Sequence, residues 1–152
     1  MQKTFFLLAF IFSSFVASAQ IQSHIKWTYS YATPPKAGAA NELIFKAVID
    51  PKWHLYSSDQ NPDVGPIPLA MKFNPNASYQ LVGTMKAIKP TKKHDEIFGG
   101  EVRFFEGKAE FRQPIKVLKA NPSIDGFYAG QSCQDDGVCV QERGKFSFGT
   151  TK

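Results

Sequence analysis

The chain has 152 residues, a formal net charge of +5 and 43% apolar residues. That is enough to bury one core without metals or many disulfides, and too mildly basic to imply a polyanion partner. With no Gly-x-Ser-x-Gly, His-Glu-x-x-His or P-loop in the sequence, hydrolase and nucleotide chemistry have no support.

The first segment reads as a secretory signal peptide over residues 1–19. Lys3 supplies the charged n-region, Phe5 to Val16 the apolar run, and Ala17-Ser18-Ala19 the small-x-small pattern cleaved before Gln20. The apolar run is shorter than the about 20 residues a helical span needs, so an uncleaved anchor fits less well. Cleavage would remove Lys3, leaving 17 basic against 13 acidic residues. A periplasmic or secreted protein with no membrane span in its mature chain is expected, a monomer, with no nucleic-acid partner.

From Gln20 to Lys152 the sequence reads as one all-β domain. Short runs of period-two alternation are separated by Pro, Gly, Asn and Asp, which is the pattern of a sandwich or barrel. The predicted strands are His24–Tyr31, Glu42–Ile49, Leu69–Phe73, Tyr79–Thr84, Val102–Phe105, Gly107–Val117, Ile124–Ala129 and Val138–Phe148. Thr33-Pro34-Pro35-Lys36-Ala37-Gly38 and the run from Asn61 to Pro68 are loops, since paired prolines do not fit a central strand. Two packed antiparallel sheets, an immunoglobulin-like β-sandwich, form the expected architecture.

The only cysteines are Cys133 and Cys139. In an exported chain they are expected to be oxidised to each other across a hairpin tip, with Asp136-Gly137 as the turn. So small a ring gives about 2.4 kcal/mol in the chain-entropy account, at the low end for a disulfide. Spacing alone leaves two readings open, a structural staple and a redox-active pair. A metal site built from the cysteines with His24, His54 or His94 is not expected, because C-x5-C is not the spacing of a zinc knuckle and the histidines show no ligand spacing. No other cofactor is implied.

Three segments together carry a resemblance. Gly130…Cys133-Gln-Asp-Asp-Gly137-Val-Cys139, Trp53-His54-Leu55-Tyr56-Ser57 and His94-Asp95-Glu96-Ile97-Phe98-Gly99 resemble, in order and approximate distance, the N-terminal periplasmic domain of the thiol:disulfide interchange protein DsbD. The resemblance implies an immunoglobulin-like sandwich whose cysteine pair takes electrons from a thioredoxin-like donor and passes them to disulfide acceptors. Cys139 would form mixed disulfides and Cys133 would resolve them. Asp95-Glu96-Ile97-Phe98-Gly99 would be a cap loop over the sulfurs, with Ile97 or Phe98 as the covering side chain and His54 and Tyr56 nearby. Carboxylates beside a thiol raise its pKa and slow adventitious reaction. The alternative is a non-catalytic binding or scaffold domain in which Trp53 and Tyr56 merely pack, His54 is a polar strand residue and Asp95-Glu96 a solvated turn.

The sequence departs from the family's pattern in two places. Val140-Gln141-Glu142-Arg143 follows the second cysteine in place of an aromatic residue and prolines, and Gly130 stands three residues before Cys133. With neither a membrane domain nor a Cys-x-x-Cys domain before Lys152, electrons are expected from a separate thioredoxin-like protein or membrane electron carrier.

Overall fold

The structure is a computed structural model that describes residues 23–149. The signal-peptide reading lies outside those residues. Eleven strands form among them, and no helix long and apolar enough to cross a membrane. In chain order they are β1 (Ile25–Tyr31), β2 (Ala40–Ile49), β3 (Trp53–Tyr56), β4 (Ala70–Phe73), β5 (Tyr79–Leu81), β6 (Lys86–Ala87), β7 (Thr91–Asp95), β8 (Gly100–Glu106), β9 (Lys108–Val117), β10 (Ile124–Gln134) and β11 (Cys139–Phe148).

These strands make two antiparallel sheets. The first runs β1-β2-β9-β5, with β6 also on β9; the second runs β11-β10-β3-β8-β7, with β4 also on β10. The alternation in β2 and β9 explains the packing. Leu43, Phe45, Ala47 and Ile49 point inward from β2 and Ala109, Phe111, Ile115 and Val117 from β9, all nearly or wholly excluded from solvent. Opposite them lie Trp53, Leu55, Phe105, Ile124, Phe146 and Phe148. The all-β, immunoglobulin-like sandwich expected from the alternation is the fold observed.

The predicted strands are all present with ends shifted by one to five residues, Tyr79–Thr84 for instance stopping at Leu81, and β3, β6 and β7 are strands the alternation does not predict. Two of the shifted ends bear on the fold. Gly107, at φ 65°, is the single residue between β8 in one sheet and β9 in the other, so it opens no strand. A left-handed backbone at so abrupt a crossing suits glycine. On β10, the strand predicted to stop at Ala129 continues through Gly130 to Gln134, because β4 pairs with its first half and β3 with its last residues. Gly130 lies between those two partners. A side chain there would meet the Leu69 backbone at 3.1 Å, so glycine lets Leu69 pack down onto β10.

Candidate functional site

Strand geometry dictates which side chains share a face. On β3, Trp53 and Leu55 enter the core between the sheets, so His54 and Tyr56 face the opposite way. On β8, Phe105 faces the core while Val102 and Phe104 face outward, and on β10 Cys133 faces outward too. A second, smaller apolar cluster results on the outer surface of the β11-β10-β3-β8-β7 sheet, made of Tyr56, Val102, Phe104 and Cys133, with Val64 and Phe98 packed against it.

Cys133 and Cys139 are directly opposite in the β10–β11 register and form a disulfide with S–S 2.08 Å and Cα–Cα 4.1 Å. The turn beyond them holds Gly137 at φ 88° and is closed by Gln134 N donating to Val138 O at 2.8 Å. The two sulfurs differ in access: Cys133 is 2% exposed, whereas Cys139 is open to solvent. On its other side Cys133 pairs with His54, which in turn pairs with Glu106. Cys139, Cys133, His54 and Glu106 thus form one row across four strands.

The segment Asp95–Gly99 is the tip of the β7–β8 hairpin, whose register runs to Asp95↔Gly100. The segment leading into it, Thr91–Asp95, is the exposed edge strand β7, for which the alternation predicts no strand. Asp95 Oδ1 accepts from the Ile97 and Phe98 amides at 2.9 and 3.1 Å, a local turn that an aspartate favours. Phe98 folds inward and Ile97 outward. The Phe98 ring fills the space where a side chain on Gly65 would stand, within 2.1 Å of that position, and lies 6.2 Å from the Tyr56 ring, edge-on. Ile97 is 86% exposed. Between this tip and the cysteine hairpin lies a cleft of about 640 Å³, with Tyr56, Val102, Phe104 and Cys133 on its floor and His54, Glu106, Asp135 and Cys139 on its sides. The loop therefore stands beside the sulfurs across a cleft, and Cys139 is not covered.

The site is anionic within a basic chain. Asp95, Glu96, Glu106 and Asp135 line the cleft against Lys93 and His94. His54 Nε2 lies 3.1 Å from the Tyr56 hydroxyl and Nδ1 3.8 Å from Asp135. Burial lowers the His54 pKa from its usual value, and the carboxylates of Asp135, Glu106 and Asp95 oppose that shift without overcoming it, Lys93 adding slightly to it. Burial likewise pushes the Tyr56 phenol up to about 12, helped by Asp95 and Asp135.

Tyr29 is raised to about 12 as well, and Tyr31, Tyr79 and Tyr128 move in the same direction, chiefly through burial. A proton held more tightly by the folded than the unfolded state stabilises the fold fully below the unfolded pKa of about 10 and loses that effect as pH rises toward the folded value. Stability is therefore expected to fall between about pH 10 and 12. Denaturant midpoints measured alongside the absorbance of tyrosinate check it, since unfolding and ionisation should coincide.

Sequence reasoning brought Cys133, Cys139, His54, Tyr56 and Asp95–Gly99 to one place, and they share this cleft or its rim. It missed Val102, Phe104, Glu106 and Asp135, and also Gln131, whose Nε2 lies 3.7 Å from Cys133 Sγ and whose Oε1 accepts from Ile67 N at 2.9 Å. Period-two counting from Cys133 along an unbroken β10 places Gln131 on the cysteine's face. It missed the seat as well: Gln60, buried, donates to Val64 O at 2.9 Å and accepts from Arg103 N at 2.5 Å, which fixes the loop carrying Val64 and Gly65.

Among solved structures, the chain is similar to the DsbD N-terminal domain of Neisseria meningitidis in the reduced form, at 18% identity and TM-score 0.54, over 76% of this chain and 82% of that one. It is similar to the N-terminal periplasmic domain of ScsB from Proteus mirabilis, at 11% identity and TM-score 0.60, over 84% of this chain but only 47% of the other. A third likeness is to the complex between the DsbD N-terminal and PilB N-terminal domains from Neisseria meningitidis, at 19% identity and TM-score 0.51, over 83% and 84%. At such identities the likeness speaks for the fold. No curated protein sequence matches. Residues 21–150 match the family described as "Thiol:disulfide interchange protein DsbD, N-terminal", so this sandwich with its cysteine pair at the end of the β10–β11 hairpin belongs to the family of DsbD N-terminal domains.

Proposed function

We propose that the chain is an exported thiol–disulfide exchange module that carries electrons between a thioredoxin-like donor, or a membrane electron carrier, and protein disulfide acceptors. The observation that carries this reading is the asymmetry of the pair, with Cys139 open at a cleft and Cys133 buried beneath it. Exchange requires a thiolate to approach a disulfide sulfur in line, so access decides which sulfur is attacked. Cys139 is then the sulfur that joins a partner, and Cys133 the one that leaves and later resolves the mixed disulfide. Asp95–Gly99 is the cap: Phe98 anchors it on Val64 and Gly65, while Ile97 is the side chain free to close over Cys139 or to meet a partner.

Two structural relatives support the reading. One is a complex of a DsbD N-terminal domain with another protein domain, which favours a protein partner here. Another is a periplasmic domain, in keeping with the signal-peptide reading of residues 1–19. Mature residues 20–152 would then form a single working domain.

The reduction potential of the pair tests the proposal. Equilibration in graded thiol redox buffers, with free thiols counted by an alkylating gel-shift reagent, should give a value above about −260 mV, in the range of exchange proteins. A value well below about −300 mV would mark a structural staple and sink the proposal in favour of a scaffold domain.

A further inference from the structure

We infer that His54 is the proton acceptor for Cys133 in the resolving half of the exchange cycle. The inference rests on the assignment of Cys139 as the partner-joining sulfur, and it adds a group that the cysteines alone do not provide. With Cys139 joined to a partner sulfur, Cys133 must attack Cys139 Sγ as a thiolate. The new bond is Cys133 Sγ–Cys139 Sγ, the broken bond is Cys139 Sγ–S of the partner, and the partner leaves as a thiolate with the electron pair. The proton of the Cys133 thiol must go somewhere first. Bulk water is a poor recipient, since Cys133 is almost wholly excluded from solvent in an apolar cluster, and burial in such surroundings holds a thiol protonated.

His54 is the base at hand. It is the directly opposite residue on the neighbouring strand, on the same outer face and lining the same cleft, an arrangement that brings Cβ atoms to about 4.5–5.5 Å. Burial favours its neutral form, the form able to accept a proton. Its surroundings are suited to the charged form once made. In the neutral ring Nδ1–H faces Asp135 and the bare Nε2 takes the proton from Cys133, after which both nitrogens donate, Nε2 to the Tyr56 hydroxyl and Nδ1 toward Asp135. Every charged or titratable group that acts on the ring has a part in this balance. Asp135 at the hairpin tip, Glu106 on β8 and Asp95 on β7 favour the imidazolium, Lys93 on β7 opposes it slightly, and the thiolate forming at Cys133 adds a further negative charge. In the reverse direction the imidazolium returns the proton to Cys133 as it leaves.

The test uses the full chain, reduced and mixed with an aromatic disulfide whose thiolate absorbs in the visible. A first burst of thiolate reports attack by Cys139, and a second, concentration-independent burst reports resolution by Cys133. In the wild type the second rate should rise through the histidine range and level off before the thiol range near about 8.5. In His54→Gln it should fall about tenfold or more at neutral pH and climb with hydroxide instead. Added imidazole should restore part of the rate in His54→Ala. A His54→Gln protein with the wild-type second rate and profile overturns the inference. Should that variant misfold, a wild-type second phase with no inflection below the thiol range overturns it equally. Loss of the first burst in the wild type would instead strike at the role of Cys139, so the two failures are distinguishable.

Discussion

Cys139→Ser is expected to reduce electron transfer between thioredoxin-like proteins to the rate measured without the domain, whereas Cys133→Ala should arrest it as a stable mixed disulfide. The reason is the geometry of approach. An attacking thiolate must come along the extension of the S–S bond, and although both cysteines line the cleft only Cys139 is open to solvent. Serine at position 139 leaves the buried Cys133 as the sole sulfur, excluded from solvent. Alanine at position 133 leaves the accessible sulfur but removes the resolving one. Non-reducing gels of each variant mixed with a reduced or oxidised thioredoxin-like partner distinguish the cases. Trapping by Cys139→Ser with none by Cys133→Ala would reverse the assignment of the two sulfurs.

Phe45→Ala is expected to cost about 3–5 kcal/mol, with a lower denaturant midpoint and an unchanged slope. Phe45 is wholly buried at the centre of an aromatic cluster, with Tyr29, Phe73, Phe146 and Phe148 at centroid distances of 5.7, 6.1, 5.1 and 5.1 Å. Edge-on packing of this kind adds to simple burial, and the surrounding rings are held by both sheets, so the void would collapse only partly. The disulfide, by contrast, is worth about 2.4 kcal/mol through chain entropy, less than this one side chain. A cycling pair needs a fold that stands when the bridge is open, and the aromatic core supplies it. A reduced protein that unfolds at once, or a Phe45→Ala midpoint close to wild type, would contradict this ranking.

How far the sequence reveals the molecule depends on where each strand buries its faces. β2 and β9 alternate cleanly because one face meets the core and the other meets water, and their predicted positions need little adjustment. β8 does not alternate: Val102 and Phe104 pack on the outer face with Tyr56 and Phe98 while Phe105 packs in the core, so two faces are apolar and the sequence holds no sign of which cluster each residue joins. β3 is only Trp53–Tyr56, too short for a periodic pattern, and β7 is nearly all exposed, so its pairing with β8 leaves no apolar mark. In the site, the cysteines and the Asp95–Gly99 segment were legible as motifs. The inward turn of Phe98 was not, because it depends on Gly65, some thirty positions earlier, offering an empty seat.

The rungs of the β10–β11 ladder run from Ile124↔Phe148, where both residues are buried in the aromatic core, to Cys133↔Cys139 at the open end. The disulfide is therefore a clasp on the free end of a ribbon whose root is fixed elsewhere. Opening it loosens the last turn and leaves the root unmoved, so amide protons near Gln134–Cys139 should exchange faster on reduction while those near Phe146 do not. The oxidation state is written on the surface within a few residues of the tip, and under the proposed exchange role that is where a partner would read it.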